Sequence, residues 1–283
     1  TVRVQAANLK ATHEEKLTSH KADAALFVAC ECGDLKGAQE AVFGGAALQT
    51  RDKSGQQPMH LACCNGSLEL VQWLHSQGCS FSAQASNGGQ PIHFACVGGQ
   101  QDVVQWLHSN GCSLAAHTNK GGQPIHCACA HGQLQVVLWL HSKGCSLDAQ
   151  ANNGGQPIHS ACARGSLDVV QWLHSQGCSL EAVRADQKSP LDIAREFGNT
   201  ELVAWLTNAI EAACTAASAP SDVLLGRRVS LDGLSSRSEL NGQIGTACSF
   251  ERGRYVVKLA GSGETVRVQA ANLKATHEEK LTS

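Results

Sequence analysis

Aromatic side chains are scarce in this chain of 283 residues, with one Tyr, six Phe and five Trp. The C-terminal stretch holds only Phe250 and Tyr255, too few there for a proline-peptide groove or a methyl-lysine cage, both of which need clustered aromatics. Charge of one sign is missing as well. A formal net charge of −2 leaves no global basic field for nucleic acid. No stretch approaches the roughly 18 apolar residues of a membrane span, and the first twenty residues are polar and charged, unlike a secretory signal. There is no phosphate-cradling glycine loop and no nucleophile elbow. No nucleic-acid, membrane or cofactor role is therefore expected, and no catalysis.

Proline is also rare, yet five of its six occurrences are regular. Pro58, Pro91, Pro124, Pro157 and Pro190 fall one period of 33 apart, as do Trp73, Trp106, Trp139, Trp172 and Trp205. Self-similarity at such a period marks a stacked repeat array. The cleanest copy is GGQPIHFACVGGQQDVVQWLHSNGCSLAA, Gly88 to Ala116. Gly88-Gly89 make a turn, and Pro91 sits at a first helical position where no N–H is needed. A short helix ends near Gly99. A second carries Val103, Val104, Trp106 and Leu107 on a broad apolar face and closes at Gly111. Cys112-Ser113-Leu114 is expected to run extended to the next turn. A unit this short is below the roughly 40 residues needed to fold alone, so its apolar faces must lie on its neighbours.

Pro91, Ile92, His93, Ala95, Gly99, Val103, Leu107 and Gly111, with their counterparts in the units at Pro58, Pro124 and Pro157, resemble the ankyrin repeat. About two thirds of the chain carries the likeness. It departs from the family pattern in three places. The Thr before the Pro is Gln57, Gln90, Gln123 and Gln156, a poorer helix cap. The small residue of the first helix is Cys, and a Leu of the second helix is His75, His108, His141 and His174. Residues 23–54 form a degenerate first unit and Gln187–Leu206 a polar last one, as the ends of a solenoid require.

The resemblance implies a non-enzymatic module that binds another protein through its concave surface. On these positions that surface comprises Lys53, Ser54, Asn65, Ser86, Asn87, Phe94, His117, Asn119, Lys120, His131, Asn152, Asn153, Arg164, Arg184 and Asp186. The repeats also differ from one another at these positions. Two rival readings stand beside it. The chain could be a structural link of a long tandem protein with no dedicated partner, or a metal or redox sensor built on its repeated His and Cys.

The His/Cys pairs His60/Cys63, His93/Cys96, His126/Cys129 and His159/Cys162 supply half a zinc site each. Packed helices about 8–10 Å apart place the other half beyond ligand bonds of about 2.0–2.3 Å. Stacked Cys79, Cys112, Cys145 and Cys178 should exceed the disulfide limit of about 7 Å between Cα atoms. The expectation is backbone-bonded His and buried thiols in a reducing, cytoplasmic or nuclear compartment. The Trp column is expected to pack between successive second helices.

Residues 208–221 are Ala/Ser-rich and suggest a linker between an ankyrin domain at 22–207 and a small β domain at 222–276. Short alternating runs at Arg228–Leu231, Gly245–Phe250, Arg254–Ala260 and Thr265–Gln269 predict strands. Leu-Asn-Gly-x-x-Gly and Gly-Arg-Tyr-x-Val resemble Src-homology-3-like small barrels. The expected fold is thus an α solenoid of helix pairs with hairpin turns, followed by a small all-β barrel.

Residues 1–19 return unchanged at 265–283. This implies a window on a longer protein repeating every 264 residues, or an artefact of gene assembly. Residues 1–21 would then be the tail of a preceding module with its linker, and 277–283 the start of the next linker. The orphan Thr1–Leu9 would fit the slot of Thr265–Leu273, a route to self-association by strand exchange.

Overall fold

The computed structural model describes residues 19–218, 228–232, 238–251, 254–268 and 272–275. They belong to two units, Thr1–Thr207 and Asn208–Ser283. Thr1–Leu9 and 277–283 lie outside the described residues.

The first unit is a stack of helix pairs. Residues 19–32 are helical (α1), and α2 is Leu35–Phe43. The pairs that follow are α3 (Pro58–Asn65) with α4 (Leu68–Ser76), and α5 (Pro91–Gly98) with α6 (Gln101–Ser109). Next come α7 (Pro124–Ala130) with α8 (Leu134–Ser142), and α9 (Pro157–Arg164) with α10 (Leu167–Ser175). The last pair is α11 (Pro190–Glu196) with α12 (Thr200–Ser218). Each first helix from α3 onward starts on the expected Pro. α3, α5 and α9 stop at Gly66, Gly99 and Gly165, all left-handed, a conformation that costs glycine nothing.

First helices stack on first helices along α3–α5–α7–α9–α11, and second helices on second helices. In the repeat of α5 and α6, Ile92, Ala95, Cys96, Val103, Val104 and Leu107 are completely buried. The same set recurs as Ile125, Ala128, Cys129, Val136, Val137 and Leu140. Each aliphatic side chain contributes about 1.5–3 kcal/mol by leaving water, and only neighbouring repeats can supply that cover.

The Gln caps prove adequate because the His three residues on completes them from the other direction. The N–H groups of Gln57, Gln90, Gln123 and Gln156 donate to Nδ1 of His60, His93, His126 and His159 at 3.0, 3.1, 3.2 and 3.1 Å. This is the return half of a capping box, with imidazole in the role of Glu. α11 uses the ordinary pair: Ser189 N–H donates to Asp192, and Asp192 N–H to Ser189 Oγ.

Successive repeats are tied by polar bonds as well as by the core. Gln100 Nε2 donates to Cys64 O at 3.2 Å, Gln133 Nε2 to Val97 O at 3.0 Å, and Asn199 Nδ2 to Cys162 O at 2.8 Å. Each donor stands at or beside the start of a second helix but serves the last carbonyls of the preceding first helix, orphaned by helix geometry. Gly98 belongs to the same seam. A Cβ there would lie 2.0 Å from the Cys64 carbonyl oxygen. Gly98→Ala should therefore destabilise the protein by about 1–3 kcal/mol, reversing the gain of about 1 kcal/mol that Ala brings to an open helix. A thermal melt measures the sign.

Two local expectations are corrected. After Cys112-Ser113 the chain turns at Leu114-Ala115 rather than running on extended. Ser113 Oγ accepts the Ala115 N–H at 3.2 Å, the local side-chain turn that Ser favours. α12 continues to Ser218, so most of the Ala/Ser-rich stretch read as a linker is helical; Ala is the strongest helix former.

The second unit is a five-stranded antiparallel sheet: β1 (Arg228–Leu231), β2 (Ile244–Glu251), β3 (Arg254–Leu259), β4 (Thr265–Val268) and β5 (Leu273–Ala275), in the order β4-β3-β2-β1-β5. It is not the closed barrel that was expected, since β4 and β5 do not pair among the described residues. The bulge between Ala247 and Ser249 adds bend. Val229, Leu231, Ala247, Tyr255, Val257, Leu259, Val266, Val268 and Leu273 form the buried side. β5 had no counterpart among the expected strands, because three residues are too short to show an alternation.

Candidate interaction surface

The hairpins between repeats bring the chosen surface residues into one row. Each hairpin is closed by a short backbone bond, such as Ala85 N–H to Gly89 O and Thr118 N–H to Gly122 O, both 2.9 Å. The tips are then laddered together. Ser86 N–H donates to Ser54 O, Asn119 N–H to Asn87 O, Asn152 N–H to Lys120 O and Ala185 N–H to Asn153 O, at 2.9 to 3.0 Å. The ladder holds Lys53, Ser54, Ser86, Asn87, Asn119, Lys120, Asn152 and Asn153 in register, all exposed.

Exposure does not make all of them available. Asn119 Nδ2 donates to Ser86 O and Asn152 Nδ2 to Asn119 O, both at 3.0 Å. These amides fasten one tip to the next. Asn87 and Asn153 turn inward, accepting from Gly89 N–H at 2.9 Å and Gly155 N–H at 3.0 Å. Asn65 Nδ2 reaches Glu31 O at 2.9 Å. Arg184 grips Asp186 through Nε and a terminal nitrogen at 3.1 and 2.5 Å, and this pairing holds the Asp186 carboxyl below the usual carboxylate range. His117 meets Gln123 at 3.2 Å, and His131 Nδ1 donates to Cys127 O at 3.0 Å. Lys53, Lys120 and Arg164 are exposed cations outside this network.

Beside the tips runs a row along the solvent-facing side of the first helices: Val28, Leu61, Phe94, Cys127 and Ser160. Val28 is 58% exposed and the others are half-buried. The Phe94 ring meets His60 edge-on, centroids 5.0 Å apart. A second row, Asn65, Gly98, His131 and Arg164, turns from neutral to basic along the stack.

The repeated His and Cys are otherwise engaged. His60, His93, His126 and His159 are buried, and both ring nitrogens of each are committed. Nδ1 accepts from the cap N–H, as above, so Nε2 carries the proton and donates to Ala83, Ala116, Gly155 and Ala182 carbonyls at 3.0 to 3.2 Å. Burial pulls all four below the ordinary histidine value, against hydrogen bonds that partly restore it. Neither nitrogen has a lone pair to offer a metal. Burial drives the thiols the other way: Cys30 and Cys162 are pushed up to about 12, and Cys79, Cys112 and Cys178 to about 11. Thiols held protonated are poor nucleophiles and poor redox sensors. The cysteines whose side chains are described form no disulfide.

The Trp column does lie between successive second helices, as expected, but through His partners that pattern reading did not foresee. His75, His108, His141 and His174 each meet the Trp of the next repeat edge-on: Trp106, Trp139, Trp172 and Trp205. Centroid separations are 5.6 to 5.9 Å. The Trp rings are only half-buried, so they join successive repeats at the rim rather than fill the core.

No described helix is long and apolar enough to cross a membrane. No curated protein matches the chain in a sequence comparison. A family model, "Ankyrin repeats (3 copies)", matches at residues 7–85, 26–120, 64–151 and 125–216, together well over half of the 283 residues. With the helix pairs, the hairpin ladder and the capping His already in place, the chain belongs to the ankyrin-repeat family.

Proposed function

We propose that the array is a non-enzymatic recognition module that holds a partner protein along its hairpin tips and first helices, the concave side in this family. Ankyrin repeats are in general protein–protein interaction modules. One observation carries the reading: two columns on this side change progressively along the near-identical repeats. Leu61, Phe94, Cys127 and Ser160 run from apolar to polar along the stack, while Asn65, Gly98, His131 and Arg164 run from neutral to basic. A partner fitting both rows would place an apolar side chain near Leu61 and Phe94 and an acidic group near Lys120 and Arg164.

The test respects the clasps. Asn119 is left alone because its amide holds Ser86. Lys120→Glu with Arg164→Glu should cut the affinity for a captured partner at least tenfold and leave the melting temperature within about 2 °C, since exposed substitutions cost about 0.5 kcal/mol or less. Unchanged affinity in a folded variant would remove this surface from the proposal.

A second reading, a link in a longer tandem protein, draws on the repetition of residues 1–19 at 265–283. For the sheet, the resemblance to Src-homology-3-like folds is supported by β5 returning to pair with β1. Its Tyr255 is buried, so it cannot line a recognition groove, and a spacer or docking role follows.

A further inference from the structure

Residues 265–275, which contain β4 and β5, occur a second time in the chain as residues 1–11. The two strands lie on opposite edges of the sheet, β4 against β3 and β5 against β1. Their inward residues Val266, Val268 and Leu273 are buried in its core. The N-terminal copy presents Val2, Val4 and Leu9 at the same places. The outward Thr265, Arg267 and Lys274 recur as Thr1, Arg3 and Lys10.

We propose that residues 1–11 of one molecule take the place of β4 and β5 in the sheet of a second molecule, so that the chain can associate with copies of itself by strand exchange. The incoming strands are chemically identical to those they replace. They restore the register Tyr255↔Val268, Val256↔Arg267 and Val257↔Val266 on β3, and Val229↔Ala275 and Leu231↔Leu273 on β1. The described pairings of β4 and β5 are all remade in the exchange. The resident strands are favoured by their tether alone, the short connection Ala260–Glu264 between β3 and β4. Identical elements passed between protomers are a low-cost route to assembly. The groove facing a partner protein is not used.

The resident tether sets the conditions for the experiment. A short flexible connection gives an effective concentration in the millimolar range. The 283-residue chain unfolded in urea and refolded at about 200 µM should therefore exchange in roughly a tenth of its molecules, and refolding a hundredfold more dilute should leave almost none. Sedimentation velocity reads the dimers and larger species. Val2→Asp with Val4→Asp, which puts carboxylates where Val266 and Val268 are buried, should abolish those species while the refolded monomer keeps its circular dichroism. Thr1→Lys, at an outward place, should keep them. Monomer alone after refolding at high concentration, or an undiminished share of oligomer in the double Asp variant, overturns the proposal.

Discussion

His93→Leu should lower the stability of the ankyrin array by about 2–4 kcal/mol at pH 8, because it strips two backbone groups of their partners at once. His93 is 2% exposed; its Nδ1 receives the Gln90 N–H and its Nε2 donates to Ala116 O, both at 3.1 Å. Leucine fills similar space and offers neither bond. For an array of this size the loss corresponds to a fall in melting temperature of about 5–15 °C. The repeat holds its own control. His108 is exposed on α6, and His108→Leu restores the residue usual in this family, so its cost should stay within about 1 kcal/mol. Urea titration of both variants measures the contrast, and equal losses would show that the capping bonds contribute nothing.

Acid should unfold the array steeply, and from a higher pH than carboxylates would dictate. His60, His93, His126 and His159 all have folded-state values below the ordinary one, burial being the chief cause. The unfolded chain therefore takes up protons first. Stability is fully present above the unfolded value of about 6.5 and falls as the pH drops below it, until each folded-state value is reached. Between those limits each histidine contributes a slope of at most about 1.4 kcal/mol per pH unit. The four contributions add. Geometry explains why the folded state resists: a proton on Nδ1 would face the cap N–H, donor against donor. Urea midpoints between pH 8 and pH 5 measure the slope, and in His93→Leu it should be shallower by the share of that ring. A flat profile down to pH 5.5 would contradict the tautomer assigned to these rings.

The two expectations rest on the same rings, and those rings show how far pattern reading reaches. The 33-residue register marked His93 as scaffold, and backbone bonding was foreseen from the family resemblance. Its second task, capping the helix that Gln90 caps poorly, became visible only when the Gln90 N–H was found to point at Nδ1. The hairpin asparagines mark the opposite limit. Asn119 and Asn152 vary between repeats and are exposed, the two features by which a recognition residue is chosen. Their amides are nonetheless spent on Ser86 and Asn119, 33 residues back. Lys53, Lys120 and Arg164 satisfied the same criteria and are not spent. Nothing local separates the two groups.

From the sequence alone came the period, the Pro that opens each first helix, the Gly that ends it, and the apolar faces that need neighbours. Those follow from short-range chemistry written out repeatedly, so each copy corroborates the others. The tertiary structure decided matters that depend on residues far apart in the chain. Gln100 and Gln133 serve the preceding repeat, and each His of the outer ladder meets the Trp of the next repeat. β5 pairs with β1 rather than with β4, its neighbour in sequence. In each case a polar group or a strand edge must find its partner somewhere, and only stacking and strand pairing determine where.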